Sequence, residues 1–187
     1  MAHISSIGAG MFSDLSVANL AGAVPATYDA AGFAALFSTE TTPADATPVS
    51  GEFLRIKNVR EFPAMGTPPN IVNVPTYGQK SSQQVQGQSD APSLEITINY
   101  VPADWDAGKA LGKMVGDGKQ YAFRFALMNA EPTGYASTAG GVGTVENSLY
   151  YWIGKIEALL VNPQLTDANT ATLTLSLQSK FYGAWTV

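Results

Sequence analysis

The side chains able to do chemistry are few and scattered. His3 is the only histidine, so any Ser-His-Asp or Cys-His arrangement must use it. It stands in the opening residues, where chains are usually loose. There is no cysteine, which excludes disulfides, thiolate nucleophiles and Cys-ligated zinc. Gly8-Ala9-Gly10 starts like a dinucleotide loop. No strand pattern precedes it, and Ser13 holds the place of the third glycine, so the strand–turn–helix setting is missing. Asp104-Trp-Asp-Ala-Gly108 opens like a calcium loop but lacks the later ligands and the closing glutamate. Helix capping accounts for Asp104, and dipole complementarity for Asp106. Glu95 with Glu146, or Asp104 with Asp106, would be the carboxylate pairs for acid/base work. Nothing in their spacing brings either pair to a cleft. Thr133–Thr144, "TGYASTAGGVGT", is rich in glycine but lacks the Lys-Ser/Thr ending of a phosphate loop. It reads as a long hairpin loop. Tyr150, Tyr151, Trp152, Phe181, Tyr182 and Trp185 are enough aromatics to line a sugar-binding face, although such residues more often form core or interface. The expectation is a chain without catalytic, cofactor or metal residues.

Composition narrows the class. The 187 residues suffice for one domain with a sizeable core. Charged residues make up 13%, about half the usual share of roughly 25%. A free monomer relies on more charge to stay dispersed, so this surface points to an assembled protein. The net charge of −5 and the absence of Lys or Arg before Arg55 exclude a phosphate-gripping arm. An acidic wall repels DNA, which suits a channel that DNA passes without sticking. No apolar run approaches the roughly 20 residues that span a bilayer. Leu15–Ala26 mimics a signal-peptide core but follows Asp14 and lacks a basic start. Synthesis in the cytoplasm is expected.

Period-two patterns dominate. Leu94, Ile96, Ile98 and Tyr100 alternate with polar residues, as do Leu173, Leu175 and Leu177; Tyr121, Phe123, Phe125 and Leu127 alternate with Gln120, Ala122, Arg124 and Ala126. Each pattern marks a half-buried strand. Phe53–Lys57 and Ser148–Val161 are further strands, the latter apolar on both faces at its start, as in a sheet covered on both sides. Ala30–Phe37 is a short apolar piece, read as a strand. Ser38–Gly51 reads as an extended loop, because its Pro, Thr and Ser residues compete with regular pairing. Ala107, Leu111, Met114 and Val115 fall on one helical face, which predicts a helix over 104–116 with Asp104 at its start and Gly116 or Gly118 at its end. The expected fold is mainly β: an antiparallel sandwich or open barrel with one flanking helix. Residues 1–50 form an extended N-terminal arm and loop, and residues 51–187 the β domain.

One stretch fits no such pattern. Ser81–Ser93, "SSQQVQGQSDAPS", is polar, nearly uncharged, and runs straight into the strand "LEITINY". Over Phe53–Trp105 the order of features resembles the major tail tube protein of long-tailed, non-contractile phages. A first strand leads to a segment with prolines (Pro63–Pro69), then Ile71–Tyr77, a long polar loop over Gly78–Ser93, and a strand ending in Asn-Tyr at Tyr100. The helix after "NYVPADW", the strand "YAFRFAL" and the closing hairpin Leu149–Phe181 continue the resemblance over about residues 50 to 187.

The resemblance implies a structural virion protein whose six copies ring into one continuous barrel, with rings stacked into the tail tube. It implies homo-oligomeric partners, a tape-measure-type protein inside, terminator and tip proteins at the ends, and DNA passing the lumen unbound. It also implies that the long loop reaches a neighbouring subunit, with Tyr77, Gln79, Gln83, Gln84, Val85, Gln86 and Gln88 as contacts. Uncharged amides suit this, since they hydrogen-bond without the desolvation cost of charge. The arm would order only on assembly, and the low-charge strand Thr170–Lys180 would join subunits. The rivals are the inner tube of a contractile tail or secretion/injection system, a carbohydrate-binding β-sandwich, and an enzyme.

Overall fold

The computed structural model describes residues 12–41, 48–66, 69–75, 77–78, 83–89, 93–128 and 149–183. Strands are numbered in chain order: β1 (Phe12–Ala18), β2 (Thr39–Glu40), β3 (Glu52–Ile56), β4 (Val59–Glu61), β5 (Pro69–Val74), β6 (Gln83–Ser89), β7 (Ser93–Asn99), β8 (Tyr121–Met128), β9 (Leu149–Asn162), β10 (Thr170–Leu177) and β11 (Tyr182–Gly183). Nine of them form one sheet in the order β2-β3-β1-β8-β9-β10-β7-β4, with β11 also pairing β9. β2 and β3 run parallel, and the other pairs are antiparallel. The fold is mainly β, as the alternation requires. Leu94, Ile96 and Ile98 are buried between exposed Ser93, Glu95 and Asn99, and Ala171, Leu173, Leu175 and Leu177 are buried along β10.

The sheet is rolled. β3 stands second in the strand order and β4 last, yet only Lys57 and Asn58 join them. In a flat sheet they would lie roughly 29 Å apart, at about 4.8 Å per neighbour. Three Cα steps reach only about 11 Å. The two ends of the sheet must therefore curl toward each other. Asn58 makes the corner with φ 62°, a left-handed conformation that asparagine tolerates. Its carbonyl accepts the Asn99 N–H at 2.8 Å. Just past β4, Phe62 stacks on Phe125 of β8 with ring centroids 4.2 Å apart, which closes the mouth of the roll with side chains. Inside lie Leu15, Val17, Leu54, Ile56, Phe123, Trp152 and the inward rows of β7 and β10. The result is an open barrel that backbone pairing does not close.

The outer face of β1, β3, β8 and β9 is covered as well. Phe33, Leu36 and Phe37 pack there against Ala18, Phe53, Ala122 and Tyr151. This double cover is what the apolar start of β9 signalled.

The first fifty residues depart from the expected arm. β1 sits inside the sheet, paired on both sides with β3 and β8, and Leu15 and Val17 are core residues. Ala30–Phe37 is a helix (Ala30–Ala34) followed by a 3-10 turn (Ala35–Phe37), not a strand. Asp29 caps it by accepting the Gly32 N–H at 2.8 Å, and the spacing of Phe33, Leu36 and Phe37 is helical, so all three face the sheet. β2 also lies within the segment read as a loop; of that loop, residues 42–47 fall outside the described residues.

The flanking helix is shorter than expected, Ala110–Met114, with Lys109 at its N-cap. Asp104 does not cap it. Asp106 instead folds into a tight turn, its side chain accepting the Gly108 N–H at 2.9 Å. Ala110, Leu111 and Met114 are buried, and Gly116 ends the segment at φ 70°, as its position predicted. A Cβ at Gly112 would overlap the Asp106 carbonyl oxygen. Gly112→Ala is therefore expected to destabilise by about 1–3 kcal/mol, the cost of forced overpacking, although alanine is the better helix former. A thermal melt followed by circular dichroism checks this.

Candidate assembly surfaces

Within the polar stretch before "LEITINY", Gln83–Ser89 is a strand rather than the expected loop. β5 and β6 pair antiparallel as a two-stranded sheet of their own, with Val72 opposite Val85, Asn73 opposite Gln84 and Val74 opposite Gln83. Opposed residues share a face, so Val74 and Val85 lie on one face while Ile71, Asn73 and Gln84 lie on the other. Both faces are in water: Ile71 is 57% exposed, Val74 42% and Val85 52%. Isolated two-stranded ribbons are marginal, so this hairpin shows uncovered apolar surface on a poorly self-sufficient element. Five of the seven anticipated contact residues, Gln83, Gln84, Val85, Gln86 and Gln88, belong to β6. Tyr77 is fully exposed in the turn at 77–78. Gln79 lies outside the described residues.

A second surface escaped the sequence reading. β9 is 14 residues long, but β8 accompanies it only as far as Gly154. Gly116 then donates its N–H to the Ile156 carbonyl at 2.9 Å. From Ala158 to Asn162, no described strand pairs with β9 on that side, while β10 continues on the other. This open edge reads Ala-Leu-Leu-Val-Asn, without a charge. Leu160 is 61% and Val161 41% exposed. Soluble proteins usually guard such edges with lysine, proline or a bulge. The opposite edge of the sheet is guarded: β4 is three residues long and carries exposed Arg60 and Glu61. β10, the expected subunit-joining strand, is paired within the chain on both sides, with β7 and β9, so it has no edge to offer.

Away from both surfaces lies a buried charge cluster. Strand register places Arg55, Ser16, Arg124 and Tyr151 in one row across β3, β1, β8 and β9. The Arg55 Nε lies 2.8 Å from Asp14 Oδ1, and a terminal nitrogen lies 3.1 Å from Glu40 Oε2. Arg124 approaches Asp14 at 3.4 Å and sits over the Phe53 ring at 4.5 Å. Ser16 donates its hydroxyl to Asp14 at 2.7 Å. Asp14, Glu40, Arg55 and Arg124 are all buried. Burial pushes the Glu40 carboxyl above its ordinary value, opposed by the Arg55 charge; burial also lowers Arg124, opposed by Asp14. Two arginines and two carboxylates balance, and their work is to tie β2, β3, β1 and β8 together. A period-two reading of "SDLSVA" would have placed Asp14 and Ser16 opposite Leu15 and Val17, on a face that needs polar partners.

The raised Glu40 gives a pH prediction. Between the unfolded and native pKa values the native state holds more protons, so stability falls as pH rises through that window. Relative to Glu40→Gln, the natural protein is therefore expected to gain stability as pH is lowered from 7 toward 4.5. Urea unfolding of both proteins across that range measures it.

The remaining candidates do not converge. Tyr151, Trp152 and Phe181 are buried, so they form no sugar-binding face. Glu95 is exposed on β7, and Glu146, His3 and Trp185 lie outside the described residues. Asp106 serves its own turn. No helix among the described residues is long and apolar enough to cross a membrane.

Neither a family model nor a curated protein matches the chain. Among solved structures, it is similar to a chain of the anti-feeding prophage baseplate, solved with 6-fold symmetry, at TM-score 0.49 and 10% identity, over 93% of this chain and 94% of that one. It is also similar to a chain of the sheath-tube complex of an extracellular contractile injection system, at TM-score 0.42 and 13% identity, over 69% and 82%. The likeness is one of outline and carries no weight in the functional argument.

Proposed function

We propose that this protein is a non-catalytic structural subunit of a phage tail or a phage-tail-derived injection particle, and that its copies assemble through their β-sheet edges into stacked rings. The observation that carries the reading is the uncharged open edge of β9 from Ala158 to Asn162, with Leu160 and Val161 exposed. An unpaired apolar edge is a template for another strand, and closing a ring of copies removes it. The low total charge supports the same reading. The order of features over Phe53–Trp105, which resembles a tail tube protein, points to this kind of assembly.

Electron microscopy and sedimentation over a concentration series test it. Hollow tubes or rings of uniform width are the expected result, and a monomer at every concentration overturns it. Particles purified from their source separate the two tail types: a co-purifying sheath marks a contractile particle, and a bare tube a non-contractile tail.

A further inference from the structure

Among the described residues, two uncharged β surfaces lack a partner strand, and they complement each other. One is the Ala158–Asn162 edge of β9, where β10 pairs on one side and no described strand pairs on the other. The other is the β5–β6 ribbon, which pairs with no strand of the large sheet. We infer that the β5–β6 hairpin of one copy docks on the Ala158–Asn162 edge of β9 in the next copy, with β6 as the added strand. The inference rests on the proposed self-assembly and names the surfaces that perform it.

Three observations select this occupant. The first is the backbone. β5 starts at Pro69 and is followed by Pro75, and neither residue has an N–H to give. β6 contains no proline, so its outer edge has a full set of donors, and its seven residues match the five-residue open edge with one to spare at each end.

The second is the facing of side chains. On β9, Leu159 stands opposite Leu173, and Val161 opposite Ala171. Leu173 and Ala171 are fully buried, so Leu159 and Val161 lie on the core side of the sheet. Leu159 packs against the end of the core, while Val161 is left 41% exposed. A strand added with Val85 and Val74 on that same side extends the core by one strand and covers Val161. The other face then sets Gln84 on the side of the sheet that carries Leu160.

The third is charge. Neither β6 nor Ala158–Asn162 carries a charged residue, so pairing them buries none, whereas the β4 edge would set Arg60 and Glu61 against the newcomer. A second copy therefore meets backbone and apolar needs together. The contact joins two different surfaces, so each added copy presents a fresh one, and the pattern propagates into a closed ring or an open stack.

The natural absence of cysteine makes the test direct. Val85→Cys protein is mixed with Val161→Cys protein, allowed to assemble, and oxidised. Cross-strand Cβ atoms lie close enough for a disulfide. The control replaces the second protein with Val24→Cys, an exposed site elsewhere on the chain. Heterodimer on a non-reducing gel at about tenfold or more over the control is expected, because docking raises the local thiol concentration. A Leu159→Cys partner covers a shift of register by two residues. Val85 and Val24 are more than half-exposed, Val161 lies next to the end of its strand and Leu159 packs at the end of the core, so thermal melts confirm that each of the four variants is folded. If rings or tubes form but neither β9 cysteine cross-links above the control, the docking is wrong while the assembly reading stands. If the proteins remain monomeric at every concentration, both are overturned.

Discussion

Arg55→Ala is expected to lower the stability of the chain by about 3–5 kcal/mol, the usual cost of removing one partner from a buried ion pair. That is a large share of the 5–15 kcal/mol typical of a folded domain. The reason is stoichiometric. Arg55 joins Asp14 through Nε and Glu40 through a terminal nitrogen, and it is itself buried. Without it, Asp14 keeps Arg124 and Ser16 as partners. Glu40 loses the arginine that meets it at 3.1 Å, and its Oε1 already has no hydrogen-bond donor among the described residues. An uncompensated carboxylate must then be ionised in a dry site or take up a proton. Arg55→Lys should recover only part of the loss, since one ammonium cannot reproduce a planar fork that reaches two carboxylates. Urea unfolding at pH 7 measures both variants. A change below about 0.5 kcal/mol for Arg55→Ala, the range of ordinary surface substitutions, would mean that the cluster does not hold the strands.

Much of the rolled sheet was legible because its central strands are half-buried and alternate cleanly. β7, β8, β9 and β10 all lie where their patterns placed them. The failures share a physical cause. Alternation reports burial, not pairing, so it could not show that β10 is enclosed by β7 and β9 while β9 is left with an open edge. Ala30–Phe37 is too short for periodicity to separate a strand from two helical turns, and the Asp29 cap was the deciding cue. The long polar stretch looked like a loop because amides are common in loops. Gln83–Ser89 is a strand because Pro69–Val74 supplies the partner, a non-local fact. Asp14 was read only as an obstacle to a signal peptide. Its true partners, Arg55 and Arg124, are 41 and 110 residues away.

The largest effect on the inner side of the sheet is expected at Trp152. The ring is fully buried and central to an aromatic group: Phe123 stacks on it at 5.5 Å, Phe181 meets it edge-on at 5.4 Å, and Phe62 tilts against it at 6.3 Å. Phe62 also stacks on Phe125, so this group holds the mouth of the roll where backbone hydrogen bonds do not. Trp152→Ala removes the shared partner of three rings and leaves a cavity too enclosed to collapse, at an expected cost of about 3–5 kcal/mol. Trp152→Phe should behave differently. It loses part of the volume, but it also removes an indole N–H that has no hydrogen-bond partner among the described residues, and an unmet buried donor costs about 1–3 kcal/mol. The two terms oppose, so Trp152→Phe should stay within about 1.5 kcal/mol of the natural protein, as volume-tolerant core swaps do. Guanidinium unfolding separates the variants. A Trp152→Phe loss as large as that of Trp152→Ala would show that the indole N–H does have a partner, and that the mouth is closed by a hydrogen bond as well as by rings.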